Sequence, residues 1–262
     1  MTIAIIGLDD DIVKEIKELS NERVVSYPMP PKGYSLEGQM YVEHPHRMDD
    51  WIAPSKVIFY SYFDDAQEFR RALALSNTPT FPDVRATDDK VNSLIMASKF
   101  LADSLPRGYL TLETVVDLPR ESVVKIGNSH CGENKIKTHG KYFGISSGLV
   151  EPFIVGDSYR VLSVGDKYTG CHRLVYLDSN DWRKNVNGTS MVITELAESE
   201  NILLHEGINL AQNLSLEVCG SDFIIDKDGN SYLLEVNAYP GLDDVPEAKQ
   251  TFIDLAASFC NK

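Results

Sequence analysis

The segment from Ser221 to Gly241, SDFIIDKDGNSYLLEVNAYPG, constrains this chain more than any other. Two apolar runs flank Asp228-Gly229, a dipeptide that favours a two-residue hairpin turn because glycine takes the positive φ such a turn requires. Pairing symmetric about that turn places Asp222 directly opposite Glu235, and Asn237, two residues further on, shares their face. Two carboxylates side by side repel unless a cation lies between them. Both are set among Phe223, Ile224, Leu233, Leu234 and Val236, where an unpaired charge is costly. Two carboxylates and an amide oxygen are hard ligands, suited to Mg²⁺ or Mn²⁺ carrying nucleotide phosphates. A surface hairpin with solvated charges is the plainer alternative, and the apolar embedding argues against it.

The rest of the chain has room for such a site. With 262 residues, 43% hydrophobic and 24% charged, it can bury a sizeable core and is not disordered, collagenous or a coiled coil. Its formal charge of −14 repels phosphates on average, which argues against nucleic acid or an anionic membrane as partner. Four cysteines without a C-x-x-C spacing predict reduced thiols and a cytoplasmic setting. No run approaches the ~20 apolar residues of a membrane span, and acidic residues follow the opening MTIAIIG too soon for a signal peptide.

Alternation of strand and helix predicts a small open α/β layer over residues 1–86, with an irregular stretch at 28–55. A helix is expected from Asp88 to about Ser104, ended by Pro106. From there to Lys262 strands come in runs with segregated helices, the signature of an α+β unit over 87–262.

Two further segments carry chemistry. In VVKIGNSHCGENKIK, residues 123–137, a strand delivers Lys125, a glycine-bearing loop turns back, and a second strand carries Lys135 and Lys137. Glycines let backbone N–H groups approach phosphate oxygens, though the loop is not a Walker sequence and an ordinary hairpin is the alternative. Arg160, Arg173, Arg183 and Lys184 form a cationic set. Arg160 and Arg173 flank the turn at Gly165-Asp166 and are expected near each other, an anion site unless each pairs with a surface acid.

Taken in order, Lys90 in DDK, VVKIG, VEPFI at 150–154, YRV, CHR, WRKNVNG, GSDFI and LLEVNAYPG resemble the ATP-grasp superfamily, in its ribosomal-protein glutamate ligase and synapsin-like branches. The match spans about Asp88 to Leu242. The resemblance implies an ATP-grasp fold with a small N-terminal α/β domain. It implies that Lys90 and Lys125 hold ATP phosphates and that Glu151, Phe153 and Ile154 belong to the hinge around adenine. Asp157 would reach the ribose. Arg160, Arg173, Arg183 and Asn185 would face the γ-phosphate and an acyl phosphate, and Asp222, Glu235 and Asn237 would bind Mg²⁺. The implied activity is ATP-dependent joining of a carboxylate to an amine through an acyl phosphate, releasing ADP and phosphate. The alternative is a synapsin-like ATP-binding regulatory protein without turnover. Either form is compatible with an oligomer.

The chain departs from the family in its lid, expected at about 118–151. Few residues separate Lys137 from Glu151, and KYFGISSG is poor in helix formers. The expected lid is a β-hairpin pairing Val123–Ile126 with Asn134–Lys137, without a covering helix. Such an opening favours a peptide or protein end as acceptor over a free amino acid.

Overall fold

The computed structural model describes residues 1–61, 66–86, 90–101, 105–127, 134–176, 182, 189–193 and 198–262. The N-terminal part runs β1 (Thr2–Ile6), α1 (Asp10–Leu19), β2 (Arg23–Tyr27), β3 (Gly33–Leu36), β4 (Gln39–Glu43), β5 (Trp51–Ile52), β6 (Lys56–Phe59), α2 (Ala66–Leu75) and β7 (Thr80–Phe81). Four of these strands form a parallel sheet in the order β2-β1-β6-β7. The IAII run of β1 is buried on both faces, as the centre of a parallel sheet requires. The chain leaves β1 through Gly7 at φ +82°, where a Cβ would meet the Tyr60 carbonyl oxygen at 2.4 Å. Ile12, Val13 and Ile16 are the buried stripe of α1, and Asp10 and Asp11 in its first turn complement the helix dipole.

The stretch expected to be irregular holds a second, antiparallel sheet, β3-β4-β5. Of its residues only Met40 and Val42 are buried, so its hydrophobic alternation is too faint to read from sequence.

Next come α3 (Lys90–Ala97), β8 (Gly108–Leu110), β9 (Thr114–Ile126), β10 (Lys135–Gly144) and β11 (Gly148–Pro152). The helix is shorter than expected, and residues 102–104 lie outside the described ones. The strands form an antiparallel sheet in the order β10-β9-β11-β8. Lys125 pairs with Lys135 and Val123 with Lys137, the lid register read from sequence, and the hairpin extends well beyond it to Thr114 and Gly144. A strand, not a helix, follows Lys137.

The chain ends with β12 (Gly156–Val164), β13 (Tyr168–Tyr176), β14 (Thr189–Ile193), α4 (Glu198–Asn213), β15 (Val218–Asp226), β16 (Ser231–Asn237) and α5 (Pro246–Asn261). Their five strands form an antiparallel sheet, β14-β13-β12-β15-β16. Its two faces differ. One presents Tyr159, Val161, Cys219 and Phe223 to Leu203 and Leu210 of α4. The other is apolar at one end, where Leu162, Val164 and Val218 meet Phe252, Ile253 and Ala256 of α5. The same cluster takes in Ile3, Ile5, Ile12 and Ile16, so α5 cements the N-terminal sheet to this one. The other end of that face is polar, and it is where the candidate site lies. Among the described residues, no helix is long and apolar enough to cross a membrane.

Candidate active site

Asp222 of β15 and Glu235 of β16 are direct cross-strand partners, and Gly220 pairs with Asn237 one step along the same face. The route to this pairing differs from the two-residue turn read from sequence. The loop has three residues, Lys227 to Gly229: the Asp226 amide donates to the Asn230 carbonyl at 3.0 Å, and Gly229 sits at φ +84°. The Asp226 side chain stabilises it by accepting from the amides of Asp228 and Asn230, each at 2.9 Å. Continued without interruption, that register would set Asp222 against Leu234 and turn Glu235 to the other face. A bulge restores it, since Phe223 pairs with Leu233 while Asp222 pairs with Glu235, and Leu234 is extra. Two one-residue irregularities cancel at the carboxylates.

Arg160 lies opposite Asp222 on β12 and grips it bidentately, Nε to Oδ1 at 2.6 Å and Nη2 to Oδ2 at 2.8 Å. Burial opposes the guanidinium charge, but Asp222, with Glu235 behind it, more than offsets this and raises the Arg160 pKa above its ordinary value. His172 extends the row on β13, opposite Arg160. It is 1% exposed, its Nε2 is 3.0 Å from the Tyr168 hydroxyl, and burial lowers its pKa. From the N-terminal sheet, the Tyr60 hydroxyl donates to the Pro240 carbonyl at 2.5 Å just past the hairpin, and burial raises its pKa.

The sheet β10-β9-β11-β8 faces this row. Lys125 Nζ is 2.5 Å from Glu151 Oε1 and donates to the Leu234 carbonyl at 3.0 Å. Arg107 Nε is 3.4 Å from Glu151 Oε2, and its Nη2 donates to the Leu233 carbonyl. Between the two sheets lies a cleft of about 650 Å³, open mouth included. Lys125, Glu151, Phe153 and Ile154 line it together with Asp222 and Glu235. Trp182 meets Phe153 edge to face with centroids 5.8 Å apart, and Lys137 Nζ stands 3.6 Å above the Phe153 ring. The Ser158 hydroxyl also lines the cleft, buried and without a hydrogen-bond partner among the described residues.

With that geometry the sequence can be compared with known proteins. Residues 149–261 match the model of the RimK-like ATP-grasp domain. The chain has the fold of the ATP-grasp ligases. Its structure aligns over 99% of its length with 98% of D-alanyl-alanine synthetase A from Vibrio cholerae, at a TM-score of 0.71 and 15% identity. It aligns over 99% with 97% of the ATP-grasp ligase PsnB complexed with minimal precursor, Mg and ADP, at 0.63 and 15%. The macrocyclase MdnC from Microcystis aeruginosa, bound with its precursor peptide MdnA, aligns over its full length with 98% of this chain, at 0.61 and 13%. No curated protein sequence matches it.

Within this fold the sequence-predicted residues divide into three groups, with Asn237 apart from them, opposite Gly220 and outside the residues that line the cleft. Lys125, Glu151, Phe153, Ile154, Asp222 and Glu235 meet at the cleft, with Arg160 behind Asp222. Arg173 and Asp157 do not join them. Arg173 pairs across the sheet with Tyr159, not Arg160, so it projects from the opposite face, where its Nη2 bonds Asp157 Oδ1 at 2.9 Å. The expected proximity of the two arginines is thus corrected by a one-residue offset. Arg183, Asn185 and the side chain of Lys90 lie outside the described residues. Arg107, Trp182 and Ser158 went unassigned in the sequence. Arg107 sits alone between Pro106 and Gly108, with no pattern to mark it.

Asp222 and Glu235 with Asn237 suit a divalent cation by donor type. Arg160 takes one lone pair on each Asp222 oxygen and leaves further acceptor sites on both. Among the described residues no three His, Cys, Asp or Glu side chains converge on one point.

Proposed function

We propose that this protein is an ATP-dependent carboxylate–amine ligase that activates its carboxylate as an acyl phosphate and releases ADP and phosphate. The observation that carries this reading is the pairing of Asp222 with Glu235 on the face that looks into the cleft lined by Lys125, Glu151, Phe153 and Ile154. Phe153 and Ile154 offer an apolar slot for a purine. The Ser158 hydroxyl, buried without a partner among the described residues, suits a ligand's polar group. Asp222, Glu235 and Asn237 would hold Mg²⁺, or Mn²⁺ in its place, which when bound would neutralise charge on the transferring phosphoryl group.

Phosphoryl transfer needs positioning and compensation of charge more than covalent help. Lys125 would give up its contacts to Glu151 and the Leu234 carbonyl to reach phosphate oxygens. Arg160 would fix the Asp222 carboxylate and add positive charge behind it. Attack of the amine on the acyl phosphate gives an anionic tetrahedral species, which cationic side chains stabilise. We assign residues 1–86 to substrate selection and 118–151 to the lid. A peptide or protein end is the favoured substrate, because the described residues of the lid are strands without a covering helix and the similar PsnB and MdnC structures are bound with precursor peptides.

The test is ADP release with Mg·ATP against a panel of amino acids, dicarboxylates and acidic peptides. Release that depends on one carboxylate–amine pair is expected. Tight Mg·ATP binding with no release for any pair would replace this reading with that of a nucleotide-binding regulatory protein.

A further inference from the structure

The bulge in β16 presents two successive main-chain carbonyls, those of Leu233 and Leu234, to two cations. Lys125 takes the second at 3.0 Å and Arg107 takes the first. The same two cations bracket Glu151, which is 3% exposed, one on each oxygen. Contacts therefore run from β9, β11 and the residue before β8 to the hairpin position immediately preceding Glu235. No other feature of the hairpin restores the register that its three-residue loop shifts.

We propose that Arg107 is a positioning residue for the Asp222–Glu235 pair: pinned between Glu151 and the Leu233 carbonyl, it holds the Leu234 bulge that turns Glu235 onto the face of Asp222. The inference rests on the metal reading of that pair. The two cations are not equivalent. Lys125 is the group assigned to phosphate, so a bound nucleotide draws it from Leu234 and Glu151. Arg107 donates from Nη2 to the Leu233 carbonyl while its Nε stands in ion-pair range of Glu151 Oε2, and its side chain is only 14% exposed. It stays on the bulge when Lys125 leaves, and Glu235 keeps its place during turnover. A guanidinium that merely neutralised Glu151 would matter for stability and not for the carboxylate pair.

The experiment measures Mn²⁺ binding by electron paramagnetic resonance in saturating ADP, and ADP binding in EDTA by calorimetry. Wild type, Arg107→Gln, a deletion of Leu234 and the combination are compared. In the deletion Glu235 follows Leu233 directly, so regular pairing still sets it opposite Asp222 and no bulge remains to be held. Arg107→Gln is expected to weaken Mn²⁺ binding by about tenfold or more and to change ADP binding in EDTA by less than about threefold; in the deletion background it should change Mn²⁺ binding by less than about threefold. Equal losses in both backgrounds, or Mn²⁺ binding within about threefold of wild type in the single variant, would overturn the proposal. A wild-type protein that binds no Mn²⁺ would instead strike down the metal reading beneath it. Should Arg107→Gln not fold, Arg107→Lys keeps a charge for Glu151 without the fork. Mn²⁺ binding weakened by at least about threefold is then expected, and wild-type binding overturns the proposal.

Discussion

Two arginine–aspartate pairs sit within one strand spacing of each other on the five-stranded sheet, and they differ in almost every respect that matters. Arg160 and Asp222 lie on the cleft face, bidentate, with side chains 16% and 6% exposed. Arg173 and Asp157 lie on the opposite face, joined by a single 2.9 Å bond, with side chains 45% and 58% exposed. The partners are chemically identical. A one-residue offset along β13 gives one pair a dry, charge-dense setting beside Glu235 and leaves the other in solvent. An ion pair's worth is set by its surroundings more than by its length.

The sharpest way to break this contrast is to remove Glu235. Glu235→Gln should lower ADP release by on the order of 10³-fold while the apo melting temperature moves by no more than about 2 °C, because an isosteric amide also relieves repulsion with Asp222. Steady-state kinetics and a thermal melt without nucleotide check both halves, and turnover within a few-fold of wild type would remove Glu235 from the chemistry.

Next in size is Arg160→Ala, which leaves Asp222 buried beside a second carboxylate. A loss of about 3 kcal/mol in urea unfolding is expected, against about 0.5 kcal/mol or less for Arg173→Ala once solvent screening is counted. Similar losses in the two variants would erase the contrast. Lys125→Ala falls between them. Glu151 keeps Arg107, so a loss of about 2 kcal/mol is expected, together with Mg·ATP affinity weakened by about tenfold in calorimetry. Unchanged affinity would free Lys125 from the phosphates.

The smallest effect is a pH dependence within the buried row. His172 has a folded pKa below its ordinary value, chiefly through burial, with Glu247 opposing and Arg160 adding to the shift. The unfolded chain therefore takes up the proton first. The stability His172 contributes is complete above about pH 6.5 and is lost as the pH falls from there through the folded value. Melting temperatures between pH 7 and 5 should fall less in His172→Gln than in wild type, and parallel curves would show that His172 does not titrate in this range.

Much of the fold was legible because its patterns are local. IAII before Gly7, the amphipathic α1 and α5 and the two long hairpins each declare themselves within a dozen or so residues. The small sheet β3-β4-β5 did not, since two buried side chains make no periodicity. The strand β14, at the edge of its sheet, carries as little local signal. At the site, Asp222 opposite Glu235 was read correctly from a turn that the protein does not use. The reading held because loop and bulge each shift the register by one residue and cancel.

The sequence by itself determined that two carboxylates would share a face of an apolar hairpin and that Lys125 would sit on a strand of a second hairpin. Each follows from residue type and short-range spacing, which a strand's two-residue period converts directly into geometry. Only the tertiary structure decided that Arg160 and not Arg173 guards Asp222, and that Arg107 reaches across to Glu151 and the bulge. Those outcomes depend on which strands pair and in what register, and register is settled by the burial of whole faces at once. A one-residue step is invisible in the local pattern around an arginine, yet it moves the side chain to the far side of the sheet.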